Sequence, residues 1–414
     1  MLAASVLIAA LTKIFKPSAP TDDAQLFRGR GSQLESLVTA IQEEGQHAIV
    51  FGERGVGKTS LAYMAMTVFQ GGSHAGLAVR LACAADDDFG SIWQKLVPRL
   101  QQAVDIRDAA ERTKLSDTLE RIEDLFMDTP TPEAVSRALN MLSAKIGVLV
   151  VVDEFDRIEG YAHRDAFADL VKLLSDDLIP STLILVGVAD DVSGLLAGHA
   201  SVERSMRQVA MPRMTEEELS EIVTSGFEEF SKRSGFQIEM APDAVRAIAR
   251  LSEGFPYYTH LLASSVGKEA IRQDRSLISF DDVVTALLKA TEDAEPSIKD
   301  VYHSSTVASR SDATFKQTLL ACAMTQTDHL GYFSAAEVRA PLEQIMGTPR
   351  RNSDFNAHLR RFSLETPFIL ESQSVKNSLR YRFRNPLMRP FVLMQGLSTG
   401  ALTVAALMGQ PNPE

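Results

Sequence analysis

The run Gly52-Glu53-Arg54-Gly55-Val56-Gly57-Lys58-Thr59 constrains this chain more than any other stretch. It follows a short apolar segment, His47 to Phe51, and opens into a helical pattern from Ser60 to Phe69. Strand, Gly-rich loop and helix with G-x-x-x-x-G-K-T spacing predict a phosphate-binding loop. Gly52, Gly55 and Gly57 admit backbone conformations closed to residues with a Cβ. The loop amides, from Gly52 through Glu53, Arg54, Val56 and on to Ser60, then turn toward phosphate oxygens, and the helix N-terminus favours the same negative charge. Lys58 is placed to reach β- and γ-phosphates and Thr59 to hold Mg²⁺. ATP or ADP with Mg²⁺ is the expected cofactor.

A chain of 414 residues is expected to hold two or three domains. Its net charge of −12 argues against a generally basic nucleic-acid coat protein and leaves a local basic patch open. Cys83 and Cys322 lie far apart, in apolar surroundings and in no metal spacing, which predicts two core thiols in a reducing, cytoplasmic compartment. None of the histidines falls in a zinc pattern. The apolar segment Leu2 to Leu11 is shorter than the ~20 residues of a membrane span and lacks a signal peptide's basic start. It reads as a docking helix, or as a helix for a membrane surface or a protein partner.

Residues 1–20 are thus an apolar helix and linker. Ser32 and Glu35 predict a capping box for a helix running to about Glu43. Leu77 to Ala82 reads as a second strand, and Thr131-Pro132 as the start of a helix. Gly147 to Val152 is apolar at every position, as a strand buried on both faces requires, and it ends in Asp153-Glu154-Phe155-Asp156. Thr182 to Val186 and Arg207 to Met211 complete a doubly wound parallel α/β domain over residues 21–212. Thr215 and Glu218 form a capping box that starts a helical lid, residues 213–296. In residues 297–395, three helical segments and two short strands, Phe368 to Glu371 and Ser378 to Phe383, predict a winged helix-turn-helix. Residues 396–414 form a tail.

Asp153 ends its strand where a carboxylate can bind Mg²⁺, and Glu154 sits where a base can polarise the attacking water. Adjacent strand residues face opposite ways, so the chain must turn for both to serve one site. Asp190, at the end of the next strand, either contacts the γ-phosphate and lytic water or caps a loop. Arg204, with Arg207 second, is the candidate arginine finger for a neighbouring subunit; the alternative is an ordinary surface ion pair.

With these residues in order, the chain resembles an AAA+ ATPase of the origin-recognition/initiator type, in its bacterial relatives that border the STAND signalling ATPases. The resemblance covers about residues 21–395. It rests on Leu26-Phe27-Arg28-Gly29-Arg30, the phosphate loop, Asp153 to Asp156, Gly187 to Asp190, Met211 to Leu219 and the winged helix. It implies adenine-side contacts from Phe27 and Arg30, a lid over the nucleotide, and a winged helix that docks DNA or a protein. The chain departs from the family twice. Asp190 replaces the frequent Asn, and Tyr257 stands where the lid arginine is sought. Gly254-Phe255-Pro256 resembles the G-x-P motif of STAND proteins, whose proline packs by the adenine; Pro256 is otherwise a helix start. The departures imply slow hydrolysis.

Between Glu337 and Phe391, ten basic side chains face five acidic ones. Arg350, Arg351, Arg360 and Arg361 flank or lie on the third helix, which enters the major groove in helix-turn-helix proteins. Lys376 and Arg380 sit by the wing, within reach of phosphates. The expected function is an ATP-binding, slowly hydrolysing switch that couples nucleotide state to double-stranded DNA binding and homo-oligomer assembly. The rival is a STAND-like scaffold whose winged helix and N-terminal helix bind protein.

Overall fold

The structure, a computed structural model, describes residues 2–21, 23–71, 76–189, 204–307, 314–328, 330–375 and 378–403. The chain divides into two compact units, Pro20–Pro212 and the pair of segments Met1–Ala19 and Arg213–Glu414. The first helix, α1 (Leu2–Ile14), belongs to the second of these.

The unit Pro20–Pro212 contains α2 (Gly31–Gln42), β1 (His47–Gly52), α3 (Lys58–Gly71), β2 (Leu77–Ala82), α4 (Phe89–Gln94), α5 (Leu96–Asp105), α6 (Ala109–Leu125), α7 (Pro132–Ser143), β3 (Val148–Asp153), α8 (Tyr161–Asp176), β4 (Ser181–Val188) and β5 (Met206–Ala210). The five strands form one parallel sheet in the order β2-β3-β4-β1-β5. Every residue of β3 and all but the last of β4 are buried, which accounts for their uninterrupted apolar runs. Beneath the end of β3 lies an aromatic nucleus. Phe167 meets Phe89 at 4.9 Å and Phe155 at 5.0 Å between ring centroids, and Trp93 is fully buried beside them. Burying a ring such as Phe155 stabilises by roughly 1.5–3 kcal/mol. Because Phe155 directly follows Glu154, that burial also fixes where the acidic pair sits.

The expected capping box at Ser32 and Glu35 does not form. Helix α2 begins at Gly31 with Arg30 as its N-cap and no side-chain cap, and the Ser32 hydroxyl donates to the Gln33 side chain. Arg30 is buried, and its guanidinium donates to the carbonyls of Pro212 at 2.5 Å and Val56 at 3.5 Å. Those tertiary bonds set the start of the helix ahead of Ser32, which local patterning does not register. The Thr131 cap does form, donated to by the Ala134 amide with Pro132 next in line.

In the second unit, α1 is followed by α9 (Glu216–Ser234), β6 (Glu239–Met240), α10 (Pro242–Leu251), α11 (Pro256–Arg272), β7 (Leu277–Ile278), α12 (Phe280–Asp293) and α13 (Pro296–Thr306). The Thr215–Glu218 capping box is present in both directions. Helix α1 packs on α9 and α11 through Leu11, Ile14 and Phe15, all buried. The Phe15 ring lies 4.9 Å from that of Phe227, and Gly226 makes room for it, since a Cβ there would fall 2.5 Å from the ring. Docking onto α9 and α11 is therefore what this helix does through its last turn. Val6, nearer its start, is exposed.

The remaining elements are α14 (Phe315–Met324), β8 (Phe333–Ser334), α15 (Ala335–Met346), α16 (Ser353–Leu364), β9 (Leu370–Val375), β10 (Ser378–Phe383) and α17 (Met388–Ser398). The antiparallel sheet runs β8-β10-β9, an arrangement consistent with a winged helix. Strand β9 continues past Glu371, where the sequence reading ended it, through Ser372, Gln373 and Ser374, because they pair with Tyr381, Arg380 and Leu379. Polar residues on an exposed strand carry no apolar alternation to announce it. Helices α13 and α17 and the short β6–β7 pair had no counterpart in the sequence reading. Helices α10 and α11 are bonded to the later elements within this one unit. The Tyr258 hydroxyl donates to the Leu387 carbonyl at 2.6 Å, and buried Arg389 donates to the carbonyls of Ala323 and Thr325 and pairs with Glu253 at 3.5 Å. Residues 404–414, most of the expected tail, lie outside the described residues.

Both thiols are buried and unpaired, and burial pushes that of Cys83 up to about 12. Two buried histidines have a larger consequence. His47 Nδ1 accepts the Leu183 amide at 3.0 Å, and burial lowers its pKa to about 4. His260 is lowered to about 4 by burial and then by the charge of Lys16. Both are neutral in the fold, whereas an unfolded histidine titrates near 6.5. Their contribution is complete above pH 6.5 and is lost as pH falls toward 4, by up to about 3 kcal/mol apiece. Urea midpoints are expected to drop steeply over that window, and His47→Gln to flatten the drop. An unchanged pH slope in that variant would assign the acid sensitivity to other groups.

Candidate nucleotide site

The phosphate loop joins β1 to α3. Gly52 has φ 150°, and a Cβ there would fall 2.4 Å from the Met211 carbonyl oxygen, so only glycine lets β1 end against the segment leaving β5. Gly57 has φ 96°, and the space a Cβ would enter is open. Glycine there leaves a concave surface of backbone at the start of α3, the geometry of an anion cradle. Lys58 is buried, and its ammonium folds back to donate to the carbonyls of Gly52 at 2.9 Å and Glu53 at 2.7 Å. Burial pushes its pKa down to about 8.

The sheet order puts β4 between β1 and β3, yet the loop's helix and the end of β3 meet. The Thr59 hydroxyl donates to Asp153 Oδ2 at 3.1 Å. Asp153 is almost fully buried, and its other oxygen accepts the Glu154 amide at 2.9 Å. Glu154 adopts the left-handed conformation, φ 57° and ψ 37°, before a 3-10 turn over Phe155–Arg157. That is the turn the two neighbouring carboxylates need in order to leave the strand on one side. For a residue with a Cβ it costs about 1–2 kcal/mol. The Glu154 carboxylate is half-exposed and lies 3.3 Å from Arg157.

The sequence reading missed Arg80. Its guanidinium donates to Asp153 Oδ2 from Nε at 2.9 Å and Nη2 at 2.7 Å, and lies over the Tyr63 ring of α3. A lone charge within the apolar run Leu77 to Ala82 was the available signal, since a charge in a buried strand requires a partner. Asp156 accepts the Val188 amide at 2.8 Å and so ties the turn to the end of β4.

The other candidates fall as follows. Phe27 is half-buried, and Ser60 accepts the Thr21 amide at 3.2 Å. Arg204 is exposed, and its carbonyl accepts from Gln46. Arg207 pairs with Glu43 at 3.0 Å. Asp190 lies outside the described residues. Pro256 is the first residue of α11, in the other unit, and the neighbouring Tyr257 hydroxyl accepts the Glu295 amide at 2.8 Å.

One buried carboxylate and one hydroxyl, both hard oxygen donors, fit Mg²⁺, which takes few protein ligands and completes its shell with water and phosphate oxygens. The cation already drawn to Asp153 Oδ2, the Arg80 guanidinium, marks that oxygen as a site for positive charge. Among the described residues no cluster of three or more His, Cys, Asp or Glu side chains is placed to hold a metal on its own.

Of the nucleic-acid candidates, Arg351 and Arg360 are exposed and Arg350 is half-buried. Arg361 lies over the Phe315 ring at 4.1 Å, donates to the Val307 carbonyl and pairs with Glu365. Arg380 pairs with Asp328 at 3.4 Å and donates to the Tyr332 carbonyl. Arg382 is bound by Glu371 and the Tyr332 ring. Lys376 lies outside the described residues. Counting basic residues thus overstates the charge available to a ligand. No described helix is long and apolar enough to cross a membrane.

Sheet order, phosphate loop and acidic pair define a nucleotide-binding P-loop NTPase fold. Residues 18–277, more than half of the chain, match the model of the Novel STAND NTPase 1 family, and the chain belongs to that family. Among solved structures it is similar to the Walker-type ATPase PABY2304 of Pyrococcus abyssi, with TM-score 0.52 and 15% identity over 92% of this chain and 99% of that one. It is also similar to the ORC2 protein of Aeropyrum pernix in its ADPNP–ADP complexes, with TM-score 0.49 and 15% identity over 94% and 98%. At such identity the likeness is one of fold. No curated protein matches the sequence.

Proposed function

We propose that this protein is a slowly hydrolysing ATPase switch whose nucleotide state governs self-assembly and the docking of its winged helix. The observation that carries this reading is the meeting of Thr59 with Asp153 beside a left-handed Glu154. Lys58 swings from the Gly52 and Glu53 carbonyls to the β- and γ-phosphates. Thr59 and Asp153 hold Mg²⁺, which neutralises phosphate charge when bound. Glu154 orients the attacking water. Exposed Arg204 serves a neighbouring subunit's site. Slow turnover follows from Tyr257, which offers no cation and whose hydroxyl is already engaged within its own unit.

Double-stranded DNA is the ligand proposed for the winged helix, through Arg351 and Arg360. Phosphate contacts release counterions, so binding at low salt should weaken steeply toward physiological salt. Arg351→Glu with Arg360→Glu is expected to lower affinity at least about tenfold in a mobility-shift titration at low salt. A second reading, a protein-docking scaffold, is favoured by the internal engagement of Arg361, Arg380 and Arg382. DNA binding that is absent at low salt, or indifferent to both substitutions, would select it. Light scattering with ATP, ADP or neither tests assembly alongside.

A further inference from the structure

The carboxylate of Asp153 is already fully used by hydrogen-bond donors. Arg80 lies on β2 two residues before Ala82, the register partner of Asp153, so strand alternation puts it on the same face of the sheet. Asp153 Oδ2 accepts from Arg80 Nε at 2.9 Å, from Arg80 Nη2 at 2.7 Å and from the Thr59 hydroxyl at 3.1 Å. Oδ1 accepts the Glu154 amide at 2.9 Å. An ionised carboxylate has about four lone-pair sites, and these donors fill them. A bond to Mg²⁺ uses a lone pair, so a donor has to leave. Thr59 can stay, because its hydroxyl can keep its proton on Asp153 while its own oxygen faces a cation. A guanidinium has no lone pair to offer and carries charge of the same sign as the ion, so Arg80 is the group displaced. The Asp153 side chain is 2% exposed and that of Arg80 27%, so solvent screens the pair little, and removing the arginine alone would strand a buried charge. The Tyr63 ring, 5.5 Å from the guanidinium carbon, gives the cation a second partner that does not depend on Asp153.

We propose that Arg80 guards the metal site: it competes with Mg²⁺ for Asp153 Oδ2, so that the site takes the ion together with nucleotide phosphates and not the ion alone. Mg²⁺ gives up its water reluctantly and is usually held by one or two carboxylates plus phosphate oxygens. Asp153 and Thr59 by themselves do not outweigh a two-donor, charge-assisted bond, whereas phosphate oxygens add both the missing ligands and negative charge. Arg80 is thus a positioning residue that acts through Asp153. The inference rests on the nucleotide reading for the phosphates, and on the Asp153 contacts for the competition.

The test is Mn²⁺ binding to the full chain in the absence of nucleotide, with the free ion followed by electron paramagnetic resonance. Arg80→Met is expected to tighten Mn²⁺ binding at least about tenfold over the parent, the order expected for removing a charge-assisted competitor. The gain should vanish when Asp153→Asn is added. Arg99→Met removes the same charge from the exposed side of α5 and should leave Mn²⁺ affinity unchanged. The melting temperature of the Arg80→Met protein should fall, and Mn²⁺ should raise it by more than it raises the parent's. If that variant fails to fold, Arg80→Lys takes its place, and its single ammonium should give a smaller gain of the same sign. Equal Mn²⁺ affinity in the parent and the Arg80 variants, or a gain that survives Asp153→Asn, would overturn the proposal. Binding of fluorescent ADP with Mg²⁺, measured separately, distinguishes the two readings. Loss of the Arg80 effect with ADP still bound removes the guard and keeps the nucleotide site. The Arg80 effect without ADP binding keeps the competition at Asp153 and removes the nucleotide.

Discussion

Replacing Lys58 with alanine is expected to weaken ATP and ADP binding at least about 100-fold while the protein stays folded. The ammonium is the buried cation of the loop, and its acceptors among the described residues are the carbonyls of Gly52 and Glu53. A phosphate is a stronger, charged acceptor for the same donor. Removing the side chain deletes that charge-assisted bond and leaves two loop carbonyls for water to satisfy. The lowered pKa of about 8 adds a signature. Phosphate stabilises the charged form, so binding near pH 8.5 should take up a proton and affinity should fall as pH rises through 8. Calorimetry in two buffers of different ionisation enthalpy measures the uptake, and Lys58→Ala should abolish it. Undiminished binding in that variant would move the nucleotide away from this loop.

The Glu154→Gln protein should bind nucleotide like the parent and lose turnover by about 10²–10⁴-fold, the range for loss of a general base. The amide keeps the shape of the side chain and the left-handed turn but cannot accept a proton from water. Asp153, buried and bonded to Thr59, Arg80 and the Glu154 amide, is untouched by the change. Single-turnover phosphate release and equilibrium binding separate the two effects. Normal turnover would assign the base to another residue. Loss of binding would mean that Glu154 supports the loop itself.

Much of this site was legible in the chain before folding. The phosphate loop declares itself because its chemistry is made by consecutive backbone groups and two adjacent side chains. Strand β3 declares itself because burial on both faces demands an apolar residue at every position. The Thr131 and Thr215 caps were readable because a cap and its helix are neighbours in sequence. Where a local cap competed with distant partners, as at Ser32 against Arg30 and Pro212, the local signal misled.

What only tertiary structure decided is every relation across distant segments. The Thr59–Asp153 contact spans 94 residues and that of Arg80 with Asp153 spans 73. Helix α1 finds its groove on α9 and α11, more than 200 positions away. The arginines of the winged segment show charge in the sequence, but the structure alone tells which of them Phe315, Asp328 and Glu371 have already claimed. The physical reason is common to all three. Composition and periodicity report how a residue meets solvent and its near neighbours, whereas the partner of a buried charge or a close-packed ring is set by which elements the fold brings side by side.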